Sequence, residues 1–298
     1  MTTAIHILDL NFLTVPQAIA AYLVVGPQGP VLVETGPGST LPVLKNRLAA
    51  YGYTVQDIKH ILLTHIHFDH AGAAGWWASQ GAHIYVHHFG ARHLIDPSKL
   101  IASATRIYGS AMDTLWGEII PAPVENVTVL HDGDVVAANG LTFQVIETPG
   151  HARHHHVYRL DDIAFTGDAA GVSIPGAGIV DLPAPPPEFD KEAWLTTLDR
   201  LEAENLSAIY PTHYGRVNDV GRHLHQLRQL LNDGPQFIKD KMAQGVSRDD
   251  LVQLYIAWNQ ERAVQAGLDK DQVRQYHAAN PLNMSVDGIM RYWRKKEG

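Results

Sequence analysis

The 298-residue chain has no cysteine. That excludes a disulfide framework, a thiolate zinc site, an iron–sulfur cluster and a cysteine nucleophile. It also lacks a long basic run. Asp and Glu outnumber Lys and Arg by 31 to 23, for a formal charge of -8. Nucleic acids are met largely through Lys and Arg, so no nucleic-acid partner is expected. Long hydrophobic runs are missing too. The longest, Ala18 to Val25, is far short of the roughly 20 residues that span a bilayer, so no membrane partner is expected. The opening MTTAIHILDL has no basic region, no long apolar stretch and no small-residue cleavage site. The expected location is therefore cytoplasmic. Hydrophobic residues at 45% and charged residues at 18% rule out global disorder. What the chain has in excess is histidine, 18 residues in all, and these cluster.

Along the chain, strand and helix patterns alternate. Strands are expected at AIHILDL, from Gln17 to Val25, at Val31–Thr35 and at Ile61–Leu63, with a helix carrying Leu41, Leu44 and Leu48 on one face. A strand at His83–Val86 follows. Leu100, Ala104, Ile107, Ala111 and Leu115 then fall at helical spacing and predict one helix. Five further strands are read between Val127 and Phe165. Residues 171–187, rich in Gly and Pro, form a long irregular loop of the kind that is usually functional. A helix from Asp190 to Ala203 and a strand at Ala208–Tyr210 complete the main unit, residues 1–230. Residues 231–298 are helical throughout, with breaks expected at Gly234-Pro235, Gly245, Gly267 and Pro281. Two successive halves of strands and helices imply an α/β fold of two packed sheets flanked by helices, with a C-terminal helical appendage.

The strongest local signal is Thr64-His65-Ile66-His67-Phe68-Asp69-His70. Three imidazoles and a carboxylate within six residues have the composition of a metal site. In an extended segment His65 and His67 point the same way. Asp69 and His70 reach a second position once the chain bends toward a helix. One short loop can thus offer ligands to two ions. Three more candidates end strands and begin loops: His151 after Thr148-Pro149-Gly150, Asp168 after Thr166-Gly167, and His213 after Thr212.

This ordered set, T-H-x-H-x-D-H, T-P-G-H, T-G-D and T-H, resembles the metallo-β-lactamase-fold superfamily. The resemblance implies an αββα sandwich over about residues 1–230. It implies that His65, His67 and His151 hold a first metal, that Asp69, His70 and His213 hold a second, and that Asp168 bridges both. It also implies a hydrolase in which a bridging hydroxide attacks a carbonyl or phosphoryl centre, with Asp69 and Asp168 as its catalytic carboxylates. Imidazole-rich N/O sites suit zinc first, with iron and manganese as alternatives. β-Lactamases of this fold usually lack the bridging aspartate, and some use a cysteine, so the set more resembles glyoxalase II, lactonases and phosphodiesterases. The basic pattern with which glyoxalase II binds glutathione has no match here, although Lys239, Lys241 and Arg248 are present. An ester, thioester or lactone of a small molecule is the first expectation and a phosphodiester the second. A mononuclear iron oxygenase acting on a persulfide is the alternative from another class. A homo-oligomer is left open.

Other residues remain to be placed. His155 is read either as orienting a ligand or as a strand-start histidine bonded to backbone. His154 stands where the family has a small residue. His87-His88 and His223/His225 are expected at the surface or an interface. Tyr108, Met112 and Trp116 are expected either in the core or in an apolar cap over the metals. Val172, Ile174 and Phe189 in the long loop are candidate pocket residues.

Overall fold

The inner strands are apolar on both faces, so the middle of each sheet must be covered on two sides. In the computed structural model, which describes residues 3–297, Leu23, Leu32 and Ile61 point to one side of a sheet, and Tyr22, Val24, Val31, Val33 and Leu62 point to the other. The first sheet has six strands in the order β1 (Ala4–Asp9), β2 (Ala20–Gly26), β3 (Gly29–Val33), β4 (His60–Leu62), β5 (His83–His87) and β6 (Val127–Leu130). The β1–β2–β3 pairings are antiparallel, and from β3 to β6 the strands run parallel. The second sheet has five strands in the order β11 (Ala208–Pro211), β10 (Ile163–Gly167), β9 (His156–Leu160), β8 (Leu141–Glu147) and β7 (Val135–Ala138). Only β10 and β11 are parallel within it.

Three apolar layers result. Helices α1 (Leu41–Ala50), α3 (Ala74–Ser79) and α4 (His88–Ile95) bury Leu44, Leu48, Trp77 and Leu94 against the outer face of the first sheet. The two sheets face each other across Tyr22, Phe143, Tyr158 and Phe165. Helices α7 (Lys191–Ala203), α8 (Val220–Ala243), α9 (Arg248–Gln265) and α11 (Leu282–Glu297) cover the second sheet through Trp194, Leu227 and Ile289. The fold is the expected αββα sandwich with C-terminal helices. Among the described residues no helix is long and apolar enough to cross a membrane.

Two elements differ from the sequence reading. The stripe from Leu100 to Leu115 is not one helix. α5 (Ser98–Tyr108) stops at Gly109, whose φ of 52° leaves the helical region, and the chain resumes as α6 (Met112–Trp116). Ile107, on the expected apolar face, is instead exposed. Conversely, α8 runs through Gly234-Pro235 without a break. Proline removes one helical N–H bond, but both residues are buried, and the Pro235 carbonyl accepts from the Trp293 indole at 2.8 Å. Tertiary packing outweighs the local penalty. Residue 230, where the sequence reading divides the chain, therefore lies inside α8, and Leu227, Leu230, Leu231 and Ile238 belong to one core.

Phe143 is fully buried between the sheets, whereas Val135 is 59% exposed at the edge strand. Phe143→Ala is expected to lower unfolding free energy by about 3–5 kcal/mol. Val135→Ala should change it by no more than about 0.5 kcal/mol. Urea denaturation of both variants measures the difference.

Candidate metal centre

β4 delivers its chain to the sheet edge at Leu63-Thr64. The next residues are extended, so Ile66 turns into the core while His65 and His67 share the opposite side. His67 immediately precedes the single-turn helix α2 (Phe68–Ala71), which carries Asp69 and His70. β8 and β9 place His151 in the loop that joins them. Asp168 directly follows β10, and His213 follows β11 by one residue. The Gly167 before Asp168 has φ 50°, and a Cβ there would stand 2.3 Å from Thr64 Oγ1 and 2.8 Å from His155 Nε2. Only glycine lets the two sheets approach this closely at the site.

All seven expected ligands come together. His65 Nε2 and His151 Nε2 each lie 2.9 Å from His67 Nδ1. On the other side His213 Nε2 is 3.4 Å from Asp69 Oδ2, and His70 Nε2 is 3.8 Å from the same oxygen. Asp168 stands between the two groups with its oxygens divided. Oδ2 is 3.3 Å from His151 Nε2, while Oδ1 is 3.3 Å from His70 Nε2 and 3.6 Å from His213 Nε2. The triads His65–His67–His151 and Asp69–His70–His213 are each compact enough to hold a cation. His67 and Asp69 are the half-buried members, so the site opens past them.

The surroundings aim the imidazoles. His151 Nδ1 donates to Pro183 O and His213 Nδ1 to Ala18 O, both at 2.8 Å. His65 Nδ1 bonds to the Thr64 hydroxyl at 3.1 Å, and His70 Nδ1 bonds to Glu34 Oε1 at 3.3 Å. Each of these four rings thereby presents Nε2 to the centre, the arrangement by which a polar neighbour selects the ligating tautomer. Buried His70 Nε2, His213 Nε2 and Asp168 Oδ1 have no hydrogen-bond partner. Orphaned buried polar atoms are costly, and three of them converging fit a divalent cation.

The charges agree with this. Burial, then neighbouring imidazoles, holds His65 well below the usual histidine range, and burial with His151 pushes His67 down to about 3. His151 is lowered chiefly by burial. The first triad is therefore neutral and offers lone pairs. Burial raises the carboxyls of Asp69 and Asp168, but the surrounding histidines outweigh it. Asp69 falls to about 2 and Asp168 well below the carboxylate range. Burial lowers His70 and His213, but Asp168 and Asp69 more than reverse this, so both are raised.

Glu34 was not singled out by the sequence. Its carboxylate is fully buried at the end of β3, with φ 66°. It accepts from the Thr64 hydroxyl and backbone, from the Thr212 hydroxyl and from His70. The available signal was Val33-Glu34-Thr35-Gly36, an apolar strand running into an acid as at Gly167-Asp168. His155 bonds to backbone, as one of its two readings has it, and the backbone is that of Asp168: its Nε2 accepts from the Asp168 N–H at 3.1 Å, and its Nδ1 bonds to the Thr148 hydroxyl at 2.7 Å. His154 packs against the first triad, its ring 5.3 Å from that of His67, and pairs with Glu188 at 3.2 Å.

Several expectations are corrected. Val172 and Ile174 lie in the inter-sheet core, and Phe189 is buried against Trp194 and Tyr292, because the C-terminal helices cover the long loop and turn its apolar side chains inward. Trp116, by contrast, takes the core position, one of the two expected for it, buried with Phe12 and Phe68. Tyr108 and Met112 are only partly buried against the same cluster. Burial pushes the Tyr108 hydroxyl up to about 12, with a contribution from the charge of Asp69, and its ring lies 5.2 Å from that of Trp116. His223 is not at the surface; it is buried and bonds to Ala170 O at 2.7 Å. His87 is buried as well and lies with His88 and Glu147 in a third cluster of metal-ligating groups. There, however, His87 Nδ1 accepts from Phe89 N–H, so Nε2 carries the proton and donates to Glu147 at 3.2 Å. That ring orients a carboxylate and has no lone pair left for a cation.

Three relatives bear on the chain's ancestry. It is 25% identical over 232 residues to a metallo-beta-lactamase fold-containing protein of Sulfurisphaera tokodaii, covering 76% of this chain and 84% of that one. It is 33% identical over 132 residues to a hydroxyacylglutathione hydrolase of Aeromonas hydrophila, covering 44% of this chain and 39% of the hydrolase. The crystal structure of a metallo-beta-lactamase family protein from Thermus thermophilus superposes with a TM-score of 0.71 at 22% identity, over 98% of this chain and 94% of the other. The family model of the metallo-beta-lactamase superfamily matches residues 14–213, the span that holds every one of the seven convergent side chains, and the chain belongs to that superfamily.

Proposed function

We propose that the protein is a dinuclear metal-dependent hydrolase that cleaves an ester, thioester or lactone of a small molecule. The observation that carries this reading is the divided Asp168 carboxylate, one oxygen toward each triad. His65, His67 and His151 would hold one ion, Asp69, His70 and His213 the other, and Asp168 both. Zinc suits this N/O donor set, which lacks thiolate. When bound, such a pair supplies Lewis acidity and lowers the pKa of water toward 7.

The chain's own groups do the rest. Asp69, ionised and half-buried at the opening, would accept a hydrogen bond from water there and orient it. Asp168 and His155 keep the two triads at a fixed separation. Tyr108 and Met112, partly buried beside Trp116 and Phe68, would offer an apolar wall with one hydroxyl for the part of the substrate that does not react. The bridging carboxylate and the absence of cysteine disfavour a β-lactam. The likeness to a hydroxyacylglutathione hydrolase supports an acyl substrate, and the acidic balance of the chain disfavours a polyanion.

Protein purified without added metal should carry close to two zinc-like ions per chain by elemental analysis. It should turn over at least one of a panel of lactones, thioesters and carboxylic esters faster than phosphodiesters. A single iron with no hydrolysis would replace this reading with oxygenase chemistry.

Asp168→Ala should disturb both positions and lower kcat/KM by about 100-fold or more, since ligand-orienting groups alone are worth about 10–100-fold. Full activity with unchanged metal content would exclude a bridging role. His65→Ala and His213→Ala should each lose chiefly one ion.

Metal binding should also depend on pH in a set direction. His70 and His213 have raised pKa values and carry protons that a cation must displace, whereas the first triad is already neutral. Affinity at the second position should fall as pH drops below those pKa values, by up to about tenfold per unit for each proton displaced. Isothermal titration in buffers of different ionisation enthalpy counts the protons released.

A further inference from the structure

We infer that Ser285 in α11 and Asn280 in the turn just before α11 are positioning residues for the ligand His151. The metal centre would then extend into a part of the chain that supplies no ligand to it. The inference rests on the metal-centre reading above, and its starting point is Pro183. The carbonyl of Pro183 accepts from His151 Nδ1 and so keeps Nε2 turned toward His67 and Asp168.

The Pro183 carbonyl and the Ala184 N–H belong to one planar peptide unit and point in opposite directions. Ser285 Oγ accepts from that Ala184 N–H at 3.1 Å. One end of the peptide is thus held by α11 and the other by the metal ligand. The preceding peptide is held as well: Leu182 O accepts from Asn280 Nδ2 at 3.1 Å and also lies 3.1 Å from Ser285 Oγ. Asn280 uses its second amide hydrogen on Asp181 at 2.8 Å, and its Oδ1 lies 3.1 Å from Ser285 Oγ. The serine has one proton to donate, to Leu182 or to Asn280, and its lone pair serves Ala184.

Asn280 is 3% exposed and Ser285 is fully buried, so bulk solvent does not reach these hydrogen bonds. Proline brings no N–H of its own to this stretch. The direction of its carbonyl is therefore set by the bonds to the peptides on either side. α11 also touches the segment directly: a Cβ on Gly288 would stand 1.9 Å from Ala184 O. Loss of the Ser285 hydroxyl would free the peptide plane to rotate, and His151 would lose the partner that fixes its ring.

The test is a Zn2+ titration of the metal-free full-length protein against a chromophoric chelator, with melting temperature measured in parallel. Ser285→Ala should weaken zinc binding at the His65–His67–His151 position by about tenfold, the lower end of the effect of removing a ligand's supporting bond. Ser285→Thr, which restores the hydroxyl, should recover most of that loss. Gly288→Ala raises intrinsic helix propensity, yet it should also weaken zinc binding, because the added methyl displaces α11 from Ala184. Leu251→Ala trims the same apolar core without touching these hydrogen bonds. It should lower the melting temperature and leave zinc affinity unchanged. The inference is overturned if Ser285→Ala binds zinc as tightly as wild type, or if Leu251→Ala weakens zinc binding equally. If the wild-type protein binds no zinc, the metal-centre reading itself falls, and this inference with it.

Discussion

The Asp168 carboxylate is the constraint on which the rest of the site depends. Its two oxygens lie 3.3 Å from His151 on one side and 3.3 Å from His70 on the other. One buried anion between five imidazoles fixes the separation of the triads and their charge states together. A buried carboxyl by itself would be neutral. Here burial is outweighed by the surrounding histidines, and the group is held well below the carboxylate range. Its backbone is tethered by His155 and its approach to the first sheet is permitted by Gly167.

The two-sheet architecture explains how such a cluster can be assembled. Parallel β3 and β4 bring Glu34 and the His65–His70 loop to one edge of the first sheet. Parallel β10 and β11 bring Asp168 and His213 to the facing edge of the second. Strand ends in parallel sheets converge on one side, and polar groups there remain accessible while the sheet interior stays apolar. Buried Glu34 links the two halves, bonding to His70 and Thr64 from the first sheet and to Thr212 from the second.

The long loop after Asp168 shows a different use of tertiary structure. Its apolar residues are consumed by packing. Its polar backbone is held by side chains of the C-terminal helices and of the turn before α11: Val180 O accepts from Arg262, Ile179 O from Tyr276 and Leu182 O from Asn280. A segment of this composition would be mobile if it stood alone. Held on both sides, it supplies a rigid carbonyl to a ligand.

The strands and the cluster of seven candidate ligands were legible in the sequence because their signals are local. Alternation of apolar residues marks a strand wherever it packs, and H-x-H-x-D-H places four ligands within one short loop. Strand-end polar residues such as Asp168 and His213 stand out against apolar neighbours. What escaped the sequence depends on distant partners. Glu34 resembles any strand-end acid until Thr64, His70 and Thr212 close around it. Val172, Ile174 and Phe189 have the composition of pocket residues, and only the helices laid over the loop turn them into core. Pro235 signals a break that the buried packing of α8 overrides. Gly109 breaks a helix that apolar spacing alone predicts to continue. Periodicity and composition fix which residues want to be buried. Which surface buries them, and which carbonyl a ligand histidine meets, is decided by contacts between residues about a hundred positions apart.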